Sequence, residues 1–282
     1  MTDTALVLGS FDGLHMAHMK VVSAAKGAKR PVAVIFSLPP SMVISGRTEL
    51  LQTVKDRKTM LEALGFEVDE LDFSKVRSKS AEEFLAYLLE KYNPCLICCG
   101  FNYHFGKGGA GDTALLEAFC KQNGISLSVI PPVEALGARV SSSRIRELVK
   151  QGDIETANKL LSREFSISGT VSHGDSRGRT LGFPTVNFLY PTDLCELRHG
   201  VYATSVLIDG TDYNAVTYVG KRPTYALAET ICETNVIDFS GDLYGQELTV
   251  RFRRFLREEK TFSSAEELKE QINSDINSAK NK

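Results

Sequence analysis

Apolar residues in the first half of the chain fall in short runs, and between the runs they recur at helical spacing. The runs at 5–11 (ALVLGSF), 31–36 (PVAVIF), 66–73 (FEVDELDF), 95–100 (CLICCG) and 126–130 (SLSVI) predict strands. Residues 15–26, 55–64 and 113–122 predict helices between them. Ser80 and Glu83 form a capping box that opens a further helix, with Phe84, Leu85, Leu88 and Leu89 on one face. Strands that alternate with helices predict βαβ units and a parallel, Rossmann-like sheet.

The pattern changes near Gln151-Gly152-Asp153. A helix is predicted at 153–162, and strands separated by turn residues follow it. VYATSVLI (201–208) alternates between faces. LTVRFRRF (248–255) does so more cleanly, with Leu248, Val250 and Phe252 opposite Thr249, Arg251 and Arg253. Many short strands of this kind predict an antiparallel barrel or sandwich. A last helix is predicted from a capping box at Ser263 and Glu266, with Leu268, Ile272, Ile276 and Ala279 on one stripe. The expected fold is therefore α/β plus β, with domains at 1–152 and 153–282.

Composition narrows the function classes. The length of 282 residues suits two domains. Lys+Arg is 33 and Asp+Glu is 35, so the net charge of −2 gives no electrostatic case for a nucleic-acid partner. At 43% hydrophobic and 24% charged the chain reads as an ordinary soluble globular protein. No apolar run has the length of a membrane span, and Asp3 stands where a signal peptide has its basic region. The expected setting is the cytoplasm, with no membrane partner. Cys95 and Cys98 make a C-x-x-C, but no second pair follows at zinc spacing, so Cys95, Cys98 and Cys99 read as residues of a buried strand. Cys120, Cys195 and Cys232 are scattered and indicate no disulfide framework.

Two segments carry candidate chemistry in the first half. In Gly9-Ser10-Phe11-Asp12-Gly13-Leu14-His15-Met16-Ala17-His18 a strand ends, a glycine-containing turn follows, and two histidines three apart open a helix. That spacing puts both imidazoles on one side of the first turn, where unpaired N–H groups and the helix dipole favour phosphate. Imidazoles there can stabilise charge on an α-phosphate; the plainer alternative is a pair of solvated histidines at a helix start. Ser141-Ser142-Ser143-Arg144-Ile145-Arg146 offers hydroxyls and guanidinium groups at a second helix start, although serines there are usually caps.

GSFDGLHMAH, GFNYHFGKGGAGD and VSSSRIREL resemble the adenylyltransferase half of bacterial bifunctional riboflavin kinase/FAD synthetases. SISGTVSHGDSRGRTLGFPTVNF, GVYATSV, VGKRPTY, ETNVIDFSGDLYG and FLREEKTFSS resemble the kinase half. The resemblance implies a nucleotidyltransferase-like domain followed by a β-barrel kinase domain with a C-terminal helix. It also implies ATP-dependent phosphorylation of riboflavin to FMN, then adenylylation of FMN to FAD with release of pyrophosphate. Expected ligands are ATP, Mg2+, riboflavin, FMN and FAD; the oligomeric state is not legible.

For the first domain the resemblance implies nucleotide contacts at Gly9, Phe11, Asp12, His15, His18, Ser142 and Arg146, with His15 and His18 catalytic and Asn102 on the flavin side. For the second it implies nucleotide contacts at Gly174, Arg179, Gly182, Thr185 and Asn187, with Thr185 and Asn187 holding the metal. Thr185 and Asn187 lie two apart on one strand face and offer neutral oxygens suited to a hard cation that keeps several waters. Glu233 is implied as the base that takes the proton of the riboflavin 5′-hydroxyl, and Arg257 and Phe262 as flavin-binding residues.

The departures from the family pattern lie in the first half. Ala17 stands for the glycine of H-x-G-H, and Pro39 for the histidine of an FDPHP-like stretch, here Phe36-Ser37-Leu38-Pro39-Pro40. They predict an adenylyl transfer slower than the phosphorylation. Two alternatives stay open on the residues: a riboflavin kinase with a degenerate first domain, and a non-catalytic flavin-responsive binding protein.

Overall fold

The computed structural model describes residues 3–172, 182–223 and 228–280. The chain divides into two compact units, Met1–Ser142 and Ser143–Lys282. Among the described residues no helix is long and apolar enough to cross a membrane.

The first unit is built on a parallel sheet of β1 (Thr4–Leu8), β2 (Arg30–Phe36), β3 (Glu67–Leu71), β4 (Leu96–Gly100) and β5 (Ser126–Ile130), in the order β3-β2-β1-β4-β5. Helices α1 (Met16–Ala24), α2 (Pro40–Ser45), α3 (Val54–Ala63), α4 (Phe73–Val76), α5 (Ala81–Tyr92) and α6 (Thr113–Gln122) connect the strands. Both sheet faces are covered, which explains the unbroken apolar runs. Leu6, Leu8, Val34, Ile97 and Cys99 pack with Phe84, Leu88 and Leu116 on one side. Ala5, Val7, Ile35 and Cys98 pack with Val22 and Leu61 on the other. Burial pushes the Cys98 thiol up to about 11 and the Cys99 thiol to about 12, as inert core sulfur requires. The strand order reverses between β1 and β4, so the loops after these two strands flank the crevice where such sheets bind ligands.

Local chemistry corrects several expected boundaries. The strand expected at 66–73 ends at Leu71, because the Asp72 side chain accepts from Ser74 N and caps α4. The helix α2 and the hairpin of β6 (Glu134–Ala135) and β7 (Ala138–Arg139) carry too few residues to show a period. The capping box at Ser80 and Glu83 forms as expected.

The second unit begins with α7 (Ser142–Gln151), whose first residue closes the first unit, and α8 (Ile154–Leu161). Then come β8 (Phe165–Thr170), β9 (Val186–Leu189), β10 (Gly200–Ile208), β11 (Thr211–Pro223), β12 (Ala228–Val236), β13 (Glu247–Arg257) and α9 (Ala265–Lys280). The strands are antiparallel in the order β8-β13-β10-β11-β12-β9. A bridge between Ser172 and Asn187 brings the chain just beyond β8 onto β9 and nearly closes a barrel. Its interior holds Phe165, Phe188, Tyr202 and Phe252, together with a ladder of fully buried hydroxyls. In that ladder Thr204 and Thr217 lie 2.9 Å apart, and Thr217 and Thr234 also 2.9 Å. The last helix is capped one residue later than the sequence suggests: Glu267 N donates to Ser264 Oγ, and the Glu267 carboxylate accepts from Ser263 N.

Candidate functional site

In the first unit the chain leaves β1 through Gly9 and turns at Ser10-Phe11-Asp12-Gly13 into α1. A Cβ on Gly9 would stand 3.1–3.3 Å from the Phe11 ring, so the missing side chain lets that ring fold back on the strand end. Phe11 meets the His18 ring edge-on at 5.4 Å. His15 is the N-cap of α1, and its Nδ1 accepts from His18 N at 3.3 Å. This bond makes Nδ1 an acceptor, so in neutral His15 the proton sits on Nε2. The two imidazoles stack with centroids 3.7 Å apart. Burial, then His15 and Arg57, hold the His18 imidazole well below its ordinary value, so it is neutral at pH 7 and can donate only one hydrogen bond.

Asp12 is 1% exposed and its carboxylate accepts from Leu51 N at 2.9 Å, so it ties the turn to the chain ahead of α3. Ser142 Oγ donates to Asp12 O at 2.9 Å. The structure thus brings together Gly9, Phe11, Asp12, His15, His18 and Ser142. Arg146 lies on α7 within the second unit, and Asn102 is exposed just after β4. Ala17 falls in the first turn of α1 on ordinary helical backbone, so the position asks for glycine only if a ligand comes close. Pro39 is the N-cap of α2.

In the second unit β9 and β12 pair so that Asn187 faces Glu233 directly across the ladder. Thr185, two residues before Asn187, donates from Oγ1 to Glu233 Oε1 at 2.7 Å. Thr185 and Asn187 line a cavity of about 450 Å³ with Pro184, Thr234, Phe239 and Tyr244. That volume is in the range of roughly 300–1,000 Å³ that holds a small ligand. Gly182 is exposed and has open space around its Cα. Gly174 and Arg179 lie outside the described residues.

At the end of β13 the Arg257 guanidinium sits over the Phe262 ring, 5.8 Å from its centroid. Sequence reasoning missed three residues around these sites. Asp275 on α9 grips Arg257; Tyr218, facing Glu233 on β11, donates to Glu259; and Arg57 lies fully buried beneath the β1 turn. Burial, with Glu259 and Glu233 adding to it, pushes the Tyr218 phenol above its ordinary value. None of the three sits in a motif, and their partners come from distant segments, so sequence held no signal for them.

A family model described as FAD synthetase matches residues 1–144, and one described as riboflavin kinase matches residues 161–282. A Bacillus subtilis relative named bifunctional riboflavin kinase/FMN adenylyltransferase is 31% identical over 96% of this chain and 90% of its own length. A Pseudomonas fluorescens relative of the same name is 34% identical over 97% and 91%. A solved Streptococcus pneumoniae structure described as a macrolide-efflux protein superposes with a TM-score of 0.90 at 30% identity, over 100% of this chain and 95% of that one. These matches define the class: a flavin-cofactor biosynthetic enzyme, here with an α/β unit and a barrel unit. The chain belongs to the family of bifunctional riboflavin kinase/FMN adenylyltransferases.

Proposed function

We propose that the chain phosphorylates riboflavin to FMN in a domain spanning 153–282 and adenylylates FMN to FAD in one spanning 1–152, with ATP as co-substrate of both steps. The observation that carries the first step is the convergence of Glu233 on β12, Asn187 opposite it on β9 and Thr185 just before β9, the last two lining the cavity. Glu233 accepts the proton of the riboflavin 5′-hydroxyl as that oxygen bonds to the γ-phosphorus and the bond to ADP breaks. Thr185 holds the carboxylate in place, and Arg257 with Phe262 bounds the flavin. The oxygens of Thr185 and Asn187 fit a Mg2+ that keeps several waters and is held largely by phosphate. Bound there, the metal would neutralise charge on the transferring group. Gly174, Arg179 and Gly182 would contact the nucleotide from the glycine-rich segment.

In the first unit the FMN phosphate attacks the α-phosphorus of ATP and pyrophosphate leaves. His15 Nε2–H and the neutral His18, at the helix N-terminus, donate to the phosphate oxygens that gain charge. Gly9, Phe11 and Asp12 shape the turn beneath them. Ser142 adds its hydroxyl to the turn, and the family resemblance assigns Arg146 to the nucleotide and Asn102 to the flavin. The reduced, buried thiols of Cys98, Cys99, Cys120, Cys195 and Cys232 suit a cytoplasmic setting.

The test is a product assay of the purified chain with riboflavin, ATP and Mg2+, in which chromatography separates FMN from FAD. Both products are expected. FMN without FAD would remove the second step, and neither product would overturn the proposal.

A further inference from the structure

The turn after β1 carries two non-glycine residues in left-handed backbone, Phe11 at φ 48° and Leu14 at φ 39°, with Gly13 between them at φ 84°. Such backbone persists only where its surroundings hold it, and it gathers at functional sites. Both side chains are 1% exposed. The ties on the turn are Leu14 N to Phe11 O at 3.0 Å, Leu51 N to the Asp12 carboxylate and Ser142 Oγ to Asp12 O, both at 2.9 Å. A further tie comes from Arg57, whose Nη1 donates to Ser10 O at 2.5 Å. Its Nη2 donates to Phe36 O at 3.1 Å and to Ser37 O at 2.9 Å, where β2 ends.

Arg57 is 0% exposed and spends both terminal nitrogens on backbone carbonyls, so it does not reach a nucleotide. Burying a guanidinium is costly, and only a planar fork of donors spans carbonyls on two strands at once. An apolar side chain would fill the same space without that cost, unless the placement of the strand ends matters.

We infer that Arg57 is a positioning residue for adenylyl transfer: its guanidinium locks the carboxyl ends of β1 and β2 together and thereby sets where His15 and His18 meet the triphosphate. The inference rests on the reading of the histidine pair given above. Arg57 has a second effect on that pair. Together with His15 it supplies the charge that acts on His18, and so it helps to keep that imidazole neutral.

The test compares Arg57→Met and Arg57→Lys in the full chain, following FMN conversion to FAD against pH, with thermal melting to measure the folded fraction. Arg57→Met should lower kcat at least tenfold and move the acid limb of the profile to higher pH, because the cation whose charge acts on His18 is gone. Arg57→Lys keeps the cation but cannot span three carbonyls; it should lose less and leave the limb in place. Riboflavin phosphorylation should be unchanged in both. Wild-type kcat in Arg57→Met, or a fall in kcat with an unmoved limb, overturns the inference. If Arg57→Met does not fold, Arg57→Lys decides: a severalfold lower kcat in a folded protein upholds the positioning role, and wild-type kcat overturns it. A wild-type chain that makes no FAD overturns the histidine reading itself, and this inference with it.

Discussion

Asp275 on the C-terminal helix holds Arg257 at the end of β13 through three charge-assisted bonds, two from Nε at 3.1 Å and one from Nη2 at 2.8 Å. Gln271 Nε2 adds a bond to the same carboxylate at 3.0 Å. The carboxylate is almost buried, and the guanidinium lies over Phe262. Asp275→Asn should destabilise the second unit by about 1–3 kcal/mol, the usual loss when a buried charged partner is removed. KM for riboflavin should rise while KM for ATP holds. Thermal melting and initial-rate kinetics check the two parts separately.

Glu233→Gln should lower the rate of FMN formation by roughly 10²–10⁴-fold, the usual contribution of a general base. The amide oxygen can still accept from Thr185 Oγ1, so the melting temperature should stay close to wild type. A variant that phosphorylates riboflavin at the wild-type rate would remove Glu233 from the chemistry.

Gly220 belongs to the VGKRPTY segment, and a Cβ there would stand 2.0 Å from the Tyr218 hydroxyl and 2.3 Å from its ring carbon. Gly220→Ala should therefore cost about 1–3 kcal/mol, as overpacking does. Because Tyr218 donates to Glu259, the change should also disturb the segment after β13 and slow FMN formation. Adding Tyr218→Ser should restore stability, which denaturant melts of the single and double variants will measure.

The departures at Ala17 and Pro39 bear on the first unit alone. Ala17→Gly combined with Pro39→His should speed FAD formation from FMN and leave riboflavin phosphorylation unchanged. Equal rates for the two steps in the unaltered chain would show that neither position limits adenylyl transfer.

His18 makes the first unit sensitive to acid. Its folded-state value lies well below the ordinary 6.5, so below pH 6.5 the unfolded chain binds a proton that the folded unit does not. Stability must fall as pH drops through that window, and above it the group contributes nothing. His18→Gln should flatten part of the fall in melting temperature between neutral pH and about pH 5.

The two architectures were legible because their signals are local. Unbroken apolar runs between helical stretches can satisfy only a sheet covered on both faces, and the alternation in LTVRFRRF suits only a half-buried antiparallel strand. That His15 and His18 come together, and that Thr185 lies close to Asn187, could be read from the chain because each pair is only two or three residues apart. Arg57, Tyr218 and Asp275 were not, since an isolated Arg, Tyr or Asp on a periodic element looks the same whether it faces water or a buried carbonyl. The late cap at Ser264 shows the limit of motif reading: with serines at both 263 and 264 and glutamates at both 266 and 267, the spacing allows two boxes, and the chain uses Ser264 and Glu267.

The bond from Ser142 to Asp12 joins residues 130 positions apart, and its consequence is one of timing. In chain order, and so in order of synthesis, the turn after β1 precedes the residues that tie it down. Its tie to Arg57 must wait for α3, and its tie to Ser142 for the end of the whole unit. A nascent or truncated product that stops short of Ser142 therefore has every strand of the parallel sheet and still lacks one tie on the turn after β1. The last tie on the turn is thus formed only when the C-terminal edge of the first unit is in place.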